Sequence, residues 1–129
     1  MKPTILIVED DDELQELYAA MLEALDYEIE TARDGAEALD RLAVVDPDLI
    51  VLDILLDRMM GDEFYRRLRQ VPRHRQTPVV VVSVLPKERC TEMLGTDAWT
   101  VFLRKPFQKR EFVEAVQRGL GTRARDERG

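Results

Sequence analysis

Four short apolar runs punctuate the chain, at residues 4–8 (TILIV), 49–52 (LIVL), 79–82 (VVVV) and 101–103 (VFL). None alternates polar with apolar positions, so each predicts a strand covered on both faces, as inside a parallel sheet. A further run at residues 27–32 (YEIETA) does alternate and predicts a strand nearer an edge. Between the runs the spacing turns helical. Leu14, Leu17, Tyr18, Met21, Leu22 and Leu25 recur at threes and fours, one apolar stripe on a helix of about 13 residues. Asp34 stands where it would cap a second helix over residues 35–42 (GAEALDRL). A third helix is predicted over residues 61–70 with Phe64 and Leu68 inward, a fourth after Pro86, and a fifth carrying Phe112, Val113, Val116 and Leu120.

Strand and helix therefore alternate through the chain, which implies a parallel sheet with right-handed crossovers and helices on both faces. For such an α/β chain the natural architecture is a doubly wound, flavodoxin-like sheet of five strands in order 2-1-3-4-5 with five helices, its ligands at the carboxyl ends of strands 1 and 3. The length of 129 residues suits one domain. We expect its body to span residues 1–121, with 122–129 a frayed tail or the start of a linker, since "GTRARDERG" has no apolar period. A composition 45% hydrophobic and 35% charged is that of a soluble globular protein. The net charge of -7 argues against direct nucleic-acid binding, which rewards cations that neutralise phosphates. The single cysteine, Cys90, leaves no internal disulfide to form and fits a reducing, cytoplasmic setting. The amino terminus turns acidic before a signal-peptide core could form, and no apolar run approaches the roughly 20 residues that span a bilayer.

The candidate chemistry sits where the strong runs end. Glu9 and Asp10 follow the first, Asp53 the third strand, Ser83 the fourth, and Lys105-Pro106 the fifth. A parallel sheet brings all of these to one edge. In "ILIVEDDDE" five carboxylates in a row abut a buried strand. Each close like-charged pair costs roughly 1 kcal/mol in water and about 4 at the effective dielectric near a protein surface. Three converging carboxylates against one lysine leave a deficit of two charges that a divalent cation would cancel. An all-oxygen set suits a hard cation, above all Mg²⁺.

The segments "ILIVEDDDE", "PDLIVLDILL", "PVVVVSV" and "FLRKPF", in this order, resemble the receiver domain of two-component response regulators, of the chemotaxis-receiver type, from about Thr4 to Leu120. The resemblance implies that Asp53 is the phosphoacceptor, taking a phosphoryl group from a sensor histidine kinase or a phosphotransfer protein and promoting its own phosphorylation and dephosphorylation. It implies a Mg²⁺ site built from Glu9 through a water, Asp10, Asp53 and the backbone carbonyl of Leu55. Lys105 and Ser83 would bind phosphoryl oxygens, Ser83 and Phe102 would form the switch, and the Lys105-Pro106 bond would be cis. The signal would leave through the face of helix 4, strand 5 and helix 5, toward a downstream protein, a fused output domain or a phosphorylation-dependent dimer.

The chain departs from that family in places. Where receivers often carry a Pro-Gly turn after the phosphoacceptor, it has Asp57-Arg58 before Met59, Met60 and Gly61. Val84 replaces a small residue after the hydroxyl and is expected to narrow access to Asp53, while apolar Leu55 and Leu85 would not position a water, so the phosphoryl group is expected to be long-lived. Trp99 argues for a short or displaced fourth helix. A second reading is a receiver-shaped interaction module that no longer switches. A haloacid-dehalogenase-type phosphatase would want a carboxylate where Leu55 stands, and a flavin protein would want a glycine- and hydroxyl-rich loop after strand 1. Simpler roles are expected elsewhere. Asp57 should be a loop acid, His74 a solvated histidine in "PRHRQ", Cys90 a packed or partly exposed thiol, and the arginines from Arg66 to Arg75 a solvated helix face and loop.

Overall fold

The chain was analysed as a computed structural model, which describes residues 2–56, 60–95 and 97–128, the last seven of these by backbone alone. The Asp57-Arg58-Met59 loop lies outside the described residues. In chain order the elements are β1 (Thr4–Val8), α1 (Asp12–Glu23), β2 (Glu28–Ala32), α2 (Gly35–Leu42), β3 (Leu49–Asp53), α3 (Gly61–Gln70), a 3-10 turn (Pro72–His74), β4 (Val79–Ser83), α4 (Lys87–Leu94), β5 (Thr100–Arg104) and α5 (Lys109–Arg128). The strands are parallel and stand in the order β2-β1-β3-β4-β5. The alternating run thus forms one edge strand, three of the continuous apolar runs fill the middle, and the fourth, in β5, forms the other edge.

Successive strand residues point to opposite faces, so each central run supplies two cores. Leu6, Val8, Ile50, Leu52 and Val81 pack with Leu42, Phe64, Leu68 and Cys90 under α2, α3 and α4. Ile5, Ile7, Val51, Val80 and Val82 pack with Tyr18, Leu22, Phe112 and Val116 under α1 and α5. Among the described residues no helix is long and apolar enough to cross a membrane.

Helix ends follow local chemistry. Asp11 caps α1 by accepting from the Leu14 N–H at 3.0 Å, and Asp34 caps α2 by accepting from Glu37 at 2.8 Å. α4 ends at Gly95, whose φ of 76° lies in the region that favours glycine. It is a short helix, with Cys90 as its buried residue.

The backbone of α5 runs helical from Lys109 to Arg128. The residues beyond Gly121 contain no proline and are mostly good helix formers, which sustain a helix already nucleated on the sheet. Gly119 lets that helix lie close, because a Cβ there would stand 2.7 Å from Leu49. Two expectations are corrected, those for His74 and Arg69. His74 is not solvated but wholly buried, because the 3-10 turn that begins at Pro72 folds it inward against Thr77 at 2.9 Å. Arg69 is not on the solvated arginine face either, since its guanidinium reaches the carbonyls of His74 and Thr77 at 2.9 and 2.7 Å.

Candidate functional site

The carboxyl ends of β1 and β3 are neighbours in the sheet, which sets Glu9 and Asp10 beside Asp53. All three offer carboxylate oxygens within 4.8 Å of one another. Glu9 is 2% and Asp53 6% exposed, so water screens their mutual repulsion poorly. Lys105, the residue after β5 and joined to Pro106 by a cis bond, answers part of that charge. Its Nζ lies 3.0 Å from Asp53 Oδ2 and 3.3 Å from Glu9 Oε1.

The electrostatics record the crowding. Burial, reinforced by the charge of Asp53 and opposed by Lys105, pushes the Glu9 carboxyl up to about 7. Lys105 moves upward too: burial alone would lower it, but its hydrogen bond and charge contact with Asp53, aided by Glu9, prevail. One lysine is thus an incomplete counter-charge for this pocket. An all-oxygen cluster with a residual negative deficit is a donor set suited to Mg²⁺, with Glu9, Asp10 and Asp53 as the side chains that would hold it.

Asp53 is fixed at both oxygens, with Oδ1 accepting from the Leu55 N–H at 3.0 Å and Oδ2 held by Lys105. The Glu9 side chain accepts from the Asp11 N–H at 3.3 Å, and Gln15 ties the Glu9 carbonyl to that of Ala32. Ser83 is buried at the end of β4, where its Oγ accepts from the Leu85 N–H at 3.1 Å. Its carbonyl accepts from Lys105 N at 2.8 Å, so the strand bearing Ser83 also steers the lysine. Phe102 sits further back on β5, opposite Val81, and packs on the core under α4 beside a cavity of about 50 Å³ that Leu85 and Cys90 also line. Leu55 is 43% and Val84 55% exposed. Val84 borders an apolar groove of about 390 Å³ between α1 and the start of α5, with Leu14, Leu17, Met21, Lys105 and Phe107.

Two supports escaped the sequence reading. Tyr18, Phe107 and Phe112 stack with ring centroids 5.1 to 5.8 Å apart, clamping the residues after Lys105 to α1. Burial and the nearby carboxylates, opposed by Lys105, push the Tyr18 hydroxyl up to about 12, so it stays neutral. The second support is a polar knot at the other end of β5. Tyr65 and Arg69 of α3 hold Asp97, which also accepts from Trp99 N at 2.8 Å and Thr100 Oγ1 at 2.9 Å. Asp97 and Tyr65 lie 32 residues apart, and no local spacing announces the pair.

The chain is thus an α/β domain with a doubly wound parallel sheet, an acidic carboxyl edge and a lysine facing it. Comparison with known proteins narrows this to one family. The family model for the response regulator receiver domain matches residues 5–117, and the chain belongs to that family. It is 32% identical over 115 residues to hybrid signal transduction histidine kinase D of Dictyostelium discoideum, covering 89% of this chain but 7% of that protein. It is 31% identical over 121 residues to the polar-differentiation response regulator DivK of Brucella ovis, covering 94% of this chain and 98% of DivK. Among solved structures, the signal receiver domain of a signal transduction histidine kinase from Syntrophus aciditrophicus superposes with a TM-score of 0.84 at 33% identity, over 93% of this chain and 91% of that one. The chain thus corresponds to a small part of the kinase and to nearly all of DivK.

Proposed function

We propose that this receiver domain accepts a phosphoryl group on Asp53 and relays the change to the face formed by α4, β5 and α5. The observation that carries the reading is the state of Asp53, a buried carboxylate pinned by Leu55 N–H and Lys105 and crowded by Glu9 and Asp10. A carboxylate so held is oriented for attack on phosphorus. As the new P–O bond forms to Asp53, the bond from phosphorus to a donor nitrogen breaks and the imidazole leaves with the electron pair. Phosphoryl transfer asks chiefly for positioning and charge neutralisation. Lys105 supplies a cation to the phosphoryl oxygens, and Ser83 on the adjacent strand supplies a hydroxyl. Glu9, Asp10 and Asp53, with the carbonyl of Leu55, would hold Mg²⁺. When bound, the ion would neutralise charge building on the transferring group.

The donor would be a sensor histidine kinase or a phosphotransfer protein. The apolar groove beside Lys105 supports a protein donor that brings its own apolar surface. Movement of Ser83 toward a phosphoryl group would pull on the β4–α4 connection and open room around Phe102, at the foot of the proposed output face.

Intact mass after incubation with acetyl phosphate and Mg²⁺ tests this. The wild type should gain the mass of one phosphoryl group, Asp53→Ala should gain none, and Asp57→Ala should behave as wild type. A wild type that binds the metal yet gains no mass would favour a non-switching interaction module of the same fold.

A further inference from the structure

The buried His74 lies at the sheet edge opposite Asp53, and phosphoryl chemistry has no use for it there. It is the chain's sole histidine, and its ring is wholly enclosed. Arg73 Nε donates to Nε2 at 3.3 Å, which requires that nitrogen to be bare and the ring proton to sit on Nδ1. Nδ1 then donates to Thr77 Oγ1 at 2.9 Å, so the neutral ring is satisfied on both sides. The Asp46 carboxylate stands 3.4 Å from the same Nε2 and 3.6 Å from Arg73 Nε, so the three groups form one cluster. One nitrogen therefore faces a cation and an anion at nearly equal range, and its protonation state decides which it engages.

We propose that His74 is a proton-operated latch: one proton taken from solvent onto Nε2 changes that nitrogen from accepting a hydrogen bond from Arg73 to donating one to the Asp46 carboxylate, and loosens the hold of Arg73 on α2. The ring cannot move, because it is enclosed and Arg69 of α3 grips the His74 and Thr77 carbonyls at 2.9 and 2.7 Å. The other two groups can, since the Asp46 and Arg73 side chains are 66% and 56% exposed. Arg73 also donates through Nη2 to the carbonyl of Leu42, the last residue of α2, at 2.6 Å. A protonated ring withdraws the acceptor from Arg73 and repels it, so the tie between the 3-10 turn and the end of α2 loosens. Charged groups facing the ring include Asp46 from the α2–β3 connection, Arg73 from the turn and Arg69 from α3. The first favours proton uptake and the other two oppose it. An ordinary imidazole changes charge within the range cells experience.

Because the chain has one histidine, its ring nitrogens can be followed without assignment ambiguity in long-range ¹H–¹⁵N spectra of the whole protein between pH 8 and 5. The Nδ1–H tautomer is expected at pH 8, and ring protonation should share its midpoint with shifts in the amide signals of residues 42–46. Asp46→Asn should lower that midpoint and Arg73→Gln raise it, each by about half a unit or more. His74→Gln should remove the pH response of residues 42–46, and if it does not fold the other two variants carry the test. An Nε2–H tautomer at pH 8, a ring that keeps one charge state throughout, or a midpoint that neither variant moves would overturn the proposal.

Discussion

At Gly61 a single missing side chain decides whether the acidic pocket can exist. α3 begins directly against the end of β3, with Gly61 N donating to the Ile54 carbonyl at 2.8 Å. A Cβ at this position would meet the Asp53 carbonyl oxygen and Ile54 Cα, each at 2.6 Å, and neither is a flexible side-chain end. Gly61→Ala must therefore displace the backbone that aims Asp53. We expect it to cost about 1–3 kcal/mol in urea unfolding and to slow phosphoryl uptake from acetyl phosphate well beyond what that loss explains. An alanine variant with wild-type stability and uptake would mean that the close approach is dispensable. The sequence places Gly61 at the start of the third helix, but only the register of α3 on β3 reveals what it must avoid.

At the scale of elements, α3 and β5 are joined by Asp97 as much as by apolar packing. Burial alone would raise the Asp97 carboxyl, but the hydrogen bond from Tyr65, the Arg69 charge and the contacts with Trp99 and Thr100 outweigh it and hold it below 3.8. A carboxyl depressed in the fold contributes stability above its ordinary value and loses it as the pH falls through the folded value. Asp97→Asn should therefore lower stability by about 1–3 kcal/mol at neutral pH. Its deficit against the wild type should hold steady above about pH 5 and shrink below about pH 4, read as urea midpoints across the series. A deficit that stays constant into acid would show that the charge of Asp97 contributes nothing. Because Thr100 opens β5 next to Asp97, this knot also fixes one end of the proposed output face.

For the molecule as a whole, the carboxyl edge is a standing cost to the fold that a divalent cation would remove. Two carboxylates about 4 Å apart repel by roughly 4 kcal/mol at the effective dielectric near a surface. Millimolar Mg²⁺ should raise the thermal midpoint by a few degrees, as expected for a ligand of the native state alone. Asp10→Asn relieves repulsion while removing a donor, so it should raise the metal-free midpoint and erase most of the Mg²⁺ increment. A variant that is destabilised without metal yet keeps the full increment would place the ion elsewhere.

How much of this could be read from the chain depends on the range of the interaction. Continuous Val and Ile runs, one alternating run and the capping residues Asp11 and Asp34 report local preferences, and these determined the elements, the parallel sheet and the strand ends where Glu9, Asp10, Asp53, Ser83 and Lys105 would meet. His74, Arg69 and Asp97 were misread or passed over, because a polar residue carries no sign of its distant counterpart. The ring of His74 is buried by a turn, and Asp97 is held by a tyrosine 32 residues earlier. The sequence alone thus determined which groups share an edge, since strand direction settles that. Tertiary structure decided which of them touch, how Lys105 divides itself between two acids, and which polar groups leave water, because those outcomes depend on contacts between residues far apart in the chain.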